Sequence, residues 1–151
     1  MKVGAKMKKD NKVFKKNRCF IVTPFDPAGF RIRDAISRAL REISIEVTGA
    51  DQMPHGESLI ESITQSIESA DIIIADLTRQ NPNVMYEVGF AHALRKPTLI
   101  IVSKEQKKAL PSNLMGWLFI VYDPSNLRSL QEHVIRFASE YIVRVRRESD
   151  E

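Results

Sequence analysis

Two carboxylates in the middle of the chain, Asp76 and Glu87, stand where the surrounding pattern calls for apolar side chains. Asp76 ends the run Ile72-Ile73-Ile74-Ala75, and Glu87 lies in the segment Asn81-Pro82-Asn83-Val84-Met85-Tyr86-Glu87-Val88-Gly89-Phe90-Ala91-His92-Ala93-Leu94. At about 100° per residue, Val84, Val88, Ala91 and Leu94 share one stripe of a helix, and Glu87 projects from its middle. A buried carboxylate costs several kcal/mol unless it is paired, protonated or open to a cavity. A substrate pocket would meet that demand, and so would a structural ion pair or a helix turned to expose the edge of its stripe. A glutamate in partly apolar surroundings near a helix N-terminus can attack an anomeric carbon, forming a glycosyl-enzyme ester that water or an acceptor base resolves. Asp76 could hold ribose hydroxyls, orient Glu87, or only cap its own loop.

The elements that would position these groups alternate along the chain. Cys19-Phe20-Ile21-Val22-Thr23, ended by Pro24, reads as a buried strand. Phe30 to Ile43 follows as an amphipathic helix, with Ile32, Ala35, Ile36, Ala39, Leu40 and Ile43 inward and Arg31, Arg33, Arg38 and Arg41 opposite. Ser44 to Val47 is a second strand, and Glu57 to Ser69 a helix with Leu59, Ile60, Ile63 and Ile67 inward. Asp71 to Ala75 is a third strand, continuously apolar as strands covered on both faces are. Asn81 can cap the next helix, with Pro82 at its first position, and Lys96-Pro97 forbids continuation past Arg95. Thr98 to Val102 and Leu118 to Tyr122 are further strands, and Ser125 to about Arg146 a closing helix. This alternation predicts a single three-layer α/β domain, a five-stranded parallel sheet of flavodoxin-like, Rossmann-like order 2-1-3-4-5.

Composition sets the remaining bounds. The 151 residues suit one core. Met1 to Arg18 carries eight Lys or Arg against one Asp, which leaves the other 133 residues at net −3 although the whole chain is +4. The basic pI near 9.3 therefore reports a tail and not a binding face. We expect residues 1–17 to be a disordered basic tail, 18–146 the α/β domain and 147–151 a flexible end. Nucleic acid is not expected as a partner, the tail apart. No stretch reads as a signal peptide or membrane span, so a soluble cytoplasmic protein is expected. Cys19 is the only cysteine, and His55, His92 and His133 are widely separated, so neither a disulfide nor a metal site is expected.

Ligands of such sheets bind beyond the carboxyl ends of the strands where the winding reverses. With the order above, Thr23-Pro24-Phe25-Asp26 faces Asp76-Leu77-Thr78-Arg79-Gln80-Asn81 across that point. The first loop lacks Gly-x-Gly-x-x-Gly, and neither a P-loop nor a Gly-x-Ser-x-Gly elbow occurs. Thr23, Pro24, Phe25, Asp26, Asn81 and Asn83 are the candidate substrate contacts, joined by His55 and Gly56 before the second helix. Phe25 could stack on a base or plug the core. Asn83 could touch substrate or serve the helix start. Arg31 and Arg33 could meet a phosphate or be solvated.

Ala75-Asp76-Leu77-Thr78 followed by the Asn81-to-Pro97 segment resembles the nucleoside 2-deoxyribosyltransferase-like superfamily, itself similar to the TIR domains that cleave NAD. The resemblance covers about Cys19 to Tyr122, and Tyr86-Glu87-Val88-Gly89 is its most specific element. It implies breakage of an N-glycosidic bond with Glu87 as nucleophile and Asp76 as sugar ligand or partner of the nucleophile. It implies a nucleoside, nucleotide or NAD-like ligand, no separate cofactor, NAD entering only as substrate, and a homo-oligomer. Thr23-Pro24-Phe25-Asp26-Pro27 departs from the small Gly- or Ser-rich loop usual there, which argues against transfer between free deoxynucleosides. A non-catalytic TIR-like module that binds a nucleotide signal or assembles with itself is the competing reading.

Overall fold

The computed structural model describes residues 16–49, 59–106 and 119–150. His55, Gly56, Trp117 and nearly all of the basic tail lie outside them. In chain order the elements are β1 (Arg18–Val22), α1 (Pro27–Glu42), β2 (Glu46–Thr48), α2 (Leu59–Ser69), β3 (Ile72–Asp76), α3 (Pro82–Ala93), β4 (Thr98–Ser103), β5 (Phe119–Tyr122) and α4 (Leu127–Asp150). The strands form one parallel sheet in the order β2-β1-β3-β4-β5, as the alternating pattern predicts. Pairings such as Ile21 with Ile74, Ala75 with Ile100 and Ser103 with Tyr122 bring the carboxyl ends of β1, β3, β4 and β5 to one edge.

Because successive strand residues face opposite sides, the apolar runs divide between two cores. Cys19, Ile21, Ile72, Ile74, Leu99 and Ile101 pack with Ile36 and Leu40 of α1 and Leu130, Val134 and Ala138 of α4. Phe20, Val22, Ile73, Ala75, Ile100 and Val102 pack on the other face with Ile63 and Ile67 of α2 and Val84, Val88 and Ala91 of α3. Lys96 ties the second pair of helices together. Its Nζ donates to the carbonyls of Glu68 and Ala70 at 2.6 and 2.8 Å, where the end of α2 leaves acceptors open.

The boundaries correct several expectations. Helix α1 starts at Pro27, earlier than the apolar periodicity indicates, because Asp26 caps it by accepting from Gly29 N at 2.8 Å. Strand β2 is shifted to Glu46–Thr48, since the chain first turns through Ser44 at φ 60°. Helix α4 continues to Asp150, past the expected boundary at 146. Leu94 caps α3 and is partly exposed, while Ile60 is 62% exposed at the start of α2. Arg33 departs from its solvated neighbours on α1: it is buried, and its guanidinium occupies the space a Cβ at Gly49 would need.

Candidate active site

Glu87 owes its position to a well-made helix start. Asn81 accepts from Asn83 N at 2.9 Å and Pro82 occupies the first helical position, so α3 begins at a fixed point beyond β3 and carries Glu87 in its second turn. The expected apolar stripe is confirmed by burial of Val84, Val88 and Ala91 against the sheet. Glu87 is 6% exposed, and what remains faces a cavity of about 350 Å³ lined by Phe25, Ile60, Ile63, Asn83 and Tyr86. Burial raises its pKa from 4.5 to about 7, with the positive charge of Arg33 opposing the rise. No hydrogen bond from the described residues enters this balance. Near neutral pH the group is thus close to half ionised, a poised state unlike that of an ion-paired carboxylate.

Phe25 and Tyr86 are 55% and 58% exposed, which is unusual for rings flanking a buried acid. Phe25 is therefore a wall of the hollow and not a core plug. Its ring meets Phe30 edge-on at 6.1 Å between centroids. Ile60 contributes the apolar rim on the α2 side, which explains why a residue expected to face inward is open to solvent. Two exposed aromatics and an isoleucine beside one carboxylate suit a flat, weakly polar ligand group.

Asp76 occupies a different environment. It is 3% exposed and lines a separate cavity of about 280 Å³ between the β1–α1 segment and the ends of β3, β4 and β5. Its Oδ1 accepts from Thr78 N at 2.9 Å and Thr78 Oγ1 at 2.5 Å, and its Oδ2 accepts from Tyr122 Oη at 3.0 Å. Ser103 N donates to Thr78 Oγ1 at 3.0 Å, closing a network across the ends of β3, β4 and β5. Burial raises the Asp76 pKa, while the donors on Thr78 and Tyr122 and the charge of Arg79 hold it down. The expected orienting contact from Asp76 to Glu87 is absent. The two carboxylates line different hollows, and Asp76 bonds to Thr78 and Tyr122 instead.

The other candidates sort by neighbourhood. Thr23 is buried with its Oγ1 unpartnered, and it borders neither cavity. Pro24 lines the Asp76 cavity and its carbonyl accepts from Asp26 N at 3.1 Å. Asp26 is engaged as the α1 cap and as a partner of Arg79, whose Nη2 donates to it at 2.9 Å. Asn83 lines the Glu87 hollow, and Asn81 is the cap below it. Sequence reasoning missed Tyr86 and Ile60 as walls and Tyr122 as the partner of Asp76. Only Tyr86 had a signal, an aromatic directly before the acid. Among the described residues, no group of three or more His, Cys, Asp or Glu could hold a metal ion. No described helix is long and apolar enough to cross a membrane.

The fold, a parallel sheet of order 2-1-3-4-5 between helices, has known counterparts. The chain superimposes on a CMP N-glycosidase from Clostridium botulinum with TM-score 0.59 and 18% identity, over 78% of this chain and 99% of that one. A 2-deoxyribosyltransferase from Bacillus psychrosaccharolyticus gives 0.57 and 14%, over 76% and 90%. TIR domains of the Roq1 resistosome give 0.53 and 10%, over 82% and 84%. These likenesses establish the fold. Residues 5–115 match the nucleoside 2-deoxyribosyltransferase family, and the chain belongs to that family. It is also 30% identical over 77 residues to the 5-hydroxymethyl-dUMP N-hydrolase of Rattus norvegicus. That match spans 51% of this chain and 44% of the rat enzyme.

Proposed function

We propose that the protein is an enzyme that breaks the N-glycosidic bond of a nucleoside 5′-monophosphate or a related nucleoside, with Glu87 as nucleophile. The observation that carries this reading is the setting of Glu87: a buried carboxyl, without hydrogen bonds from the described residues, opening on a hollow with two exposed aromatic walls. Ionised Glu87 attacks C1′, the C1′–N bond breaks with its electron pair going to the base, and a glycosyl ester forms on the glutamate. Water then adds at C1′, the ester C–O bond breaks, and Glu87 is released as carboxylate. The departing base takes up a proton from solvent.

Phe25 and Tyr86 provide flat faces for the base. Asn83, at the rim, offers an amide to the sugar or base. An apolar, poorly hydrated setting strengthens the nucleophile, since an unsolvated carboxylate has less to lose on approaching carbon. The match to a nucleotide N-hydrolase and the resemblance to a CMP N-glycosidase favour nucleotides as the first substrates to test, and the stiff Pro24-containing loop favours water over a second base as acceptor. NAD is the further candidate suggested by the TIR-like fold.

The test is direct. Purified protein incubated with deoxynucleoside 5′-monophosphates, CMP, free deoxynucleosides and NAD is expected to release a base detectable by chromatography. The Glu87→Gln variant should release none. Absence of release from every substrate, together with ligand-dependent stabilisation, would instead identify a binding module.

A further inference from the structure

Two hollows open on the carboxyl edge of the sheet, and one stretch of chain divides them. Pro24 lines the cavity beside Asp76, and the next residue, Phe25, lines the hollow at Glu87. Their volumes are about 280 and 350 Å³. A cavity of about 150 Å³ accepts a benzene ring, so a nucleoside monophosphate of about 20 heavy atoms needs on the order of 500 Å³. Neither hollow offers that much, and the two together do. What keeps them apart therefore decides how large a ligand the protein takes.

An ion pair closes the divide. Arg79, on the β3–α3 segment, reaches across to Asp26 on the β1–α1 segment, its Nη2 donating to Oδ1 at 2.9 Å while Nη1 pairs with Oδ2. The two sides differ in freedom. Asp26 caps α1 through Gly29 N at 2.8 Å, and a Cβ on Gly29 would lie 2.0 Å from the Pro24 carbonyl oxygen, so the β1–α1 segment is seated against its helix. On the facing side Thr78 is fixed by Asp76, but the Arg79 side chain is 48% exposed. Gln80, directly after it, stands at φ 44°, where a non-glycine residue is strained. The arginine is the part that can move. A half-exposed pair is weak enough for a ligand to break, while its two-pronged geometry holds it closed at rest.

We propose that the Asp26–Arg79 pair is a gate between two halves of one ligand site. Closed, it leaves a base-sized hollow at Glu87; open, with Arg79 swung toward solvent, it admits a whole nucleoside monophosphate across both hollows. This deepens the reading of Glu87 as a glycosidic nucleophile and rests on it for the class of ligand. Opening the pair lowers the apparent affinity of the large ligand alone, because a ligand confined to the Glu87 hollow never meets the gate.

Isothermal titration of the full chain in a Glu87→Gln background, where no turnover is expected, tests this, with CMP and dUMP as large probes and cytosine and uracil as small ones. Asp26→Asn keeps an oxygen for the α1 cap but removes the charge, and Arg79→Gln removes the cation. Both should tighten binding of at least one mononucleotide by about threefold to tenfold and leave the free bases unchanged within about twofold. Arg79→Lys, which keeps the charge without the fork, should fall between. Weaker mononucleotide binding in both variants would make Arg79 a ligand contact and overturn the gate. So would an equal gain for bases and mononucleotides, or no saturable mononucleotide binding at all. The gate and the glycosidic reading fail separately. Base release by the unaltered protein with no gain in the variants sinks the gate alone, whereas the gain without base release sinks the glycosidic reading alone.

Discussion

Asp76 and Glu87 are buried to nearly the same degree, yet the molecule treats them in opposite ways. Asp76 is held by Thr78 and Tyr122 on both of its oxygens, and those bonds tie together the ends of β3, β4 and β5. Glu87 receives no hydrogen bond from the described residues and looks onto Phe25, Ile60 and Tyr86. A buried charge can be compensated by donors or left wanting a partner. The first case makes a rigid corner, and the second leaves a poised group, which is the setting that the nucleophilic role proposed for Glu87 requires; burial alone does not tell the two apart.

The sharpest way to break this contrast is to remove the negative charge from Glu87. With Glu87 as the proposed nucleophile, Glu87→Gln should lower base release by ~10³-fold or more, since an amide cannot take over its attack. Stability at neutral pH should stay level or rise, since an unsatisfied buried acid is replaced by a neutral amide of the same shape. Chromatographic assay and thermal melting together decide it. A fall in stability of ~3 kcal/mol or more would show that Glu87 is a structural anchor like Asp76.

The next effect follows from the raised pKa of Glu87, near 7 against 4.5 in the unfolded chain. A carboxyl whose folded pKa is raised contributes stability that is complete below about pH 4.5 and is lost as pH climbs through 7. The linked change is on the order of 3 kcal/mol. Glu87→Gln should abolish this slope, as urea melts taken across pH 4.5 to 8 would show. Activity runs the other way: kcat/KM should rise about tenfold per unit on the acid side and level off above about pH 7, where the nucleophile is ionised. Replacing Arg33 by Met removes the charge that opposes the rise, so the acid limb should move to higher pH.

Much of this arrangement was readable from the chain, and the failures share one cause. Continuous β-branched runs defined the strands because both sheet faces are covered, and the Asn81-Pro82 pair announced the start of α3. The same signal stands at Asp26-Pro27, where Asp26 caps α1 just as Asn81 caps α3. Helical spacing placed Arg33 with Arg31 and Arg38 on a wet face and Ile60 on a dry one, and both are reversed. Periodicity gives the angle of a side chain about its own helix, not what stands beside that helix. Gly49 makes room for Arg33, and an open hollow leaves Ile60 uncovered. The partnership of Asp76 with Tyr122 joins residues far apart in sequence, which no local pattern encodes.

Treating Asp76 as Glu87 was treated should reverse the outcome. In Asp76→Asn, one acceptor becomes an amide donor, so either the Thr78 groups lose an acceptor or the Tyr122 hydroxyl must turn from donating to accepting, and the charge that strengthened all three bonds is gone. The expected loss is about 1–3 kcal/mol, measured by denaturant melts at neutral pH. An identical swap of acid for amide would thus destabilise one site and spare the other. A neutral or stabilising result for Asp76→Asn would erase the distinction and return Asp76 to the set of poised acids.

The smallest effect separates the two halves of the Asp76 corner. Tyr122→Phe removes one donor to Oδ2 but keeps the ring that packs with Leu99 and Leu130, while Thr78 still serves Oδ1. A single hydrogen bond to a buried carboxylate is worth about 1–3 kcal/mol, and Oδ1 keeps both of its Thr78 donors in the variant. The measured cost should therefore be near 1 kcal/mol and smaller than for Asp76→Asn. Because the corner stands outside the Glu87 hollow, the pH midpoint of kcat/KM should not move. A shifted midpoint would mean that the two carboxylates share one electrostatic site after all.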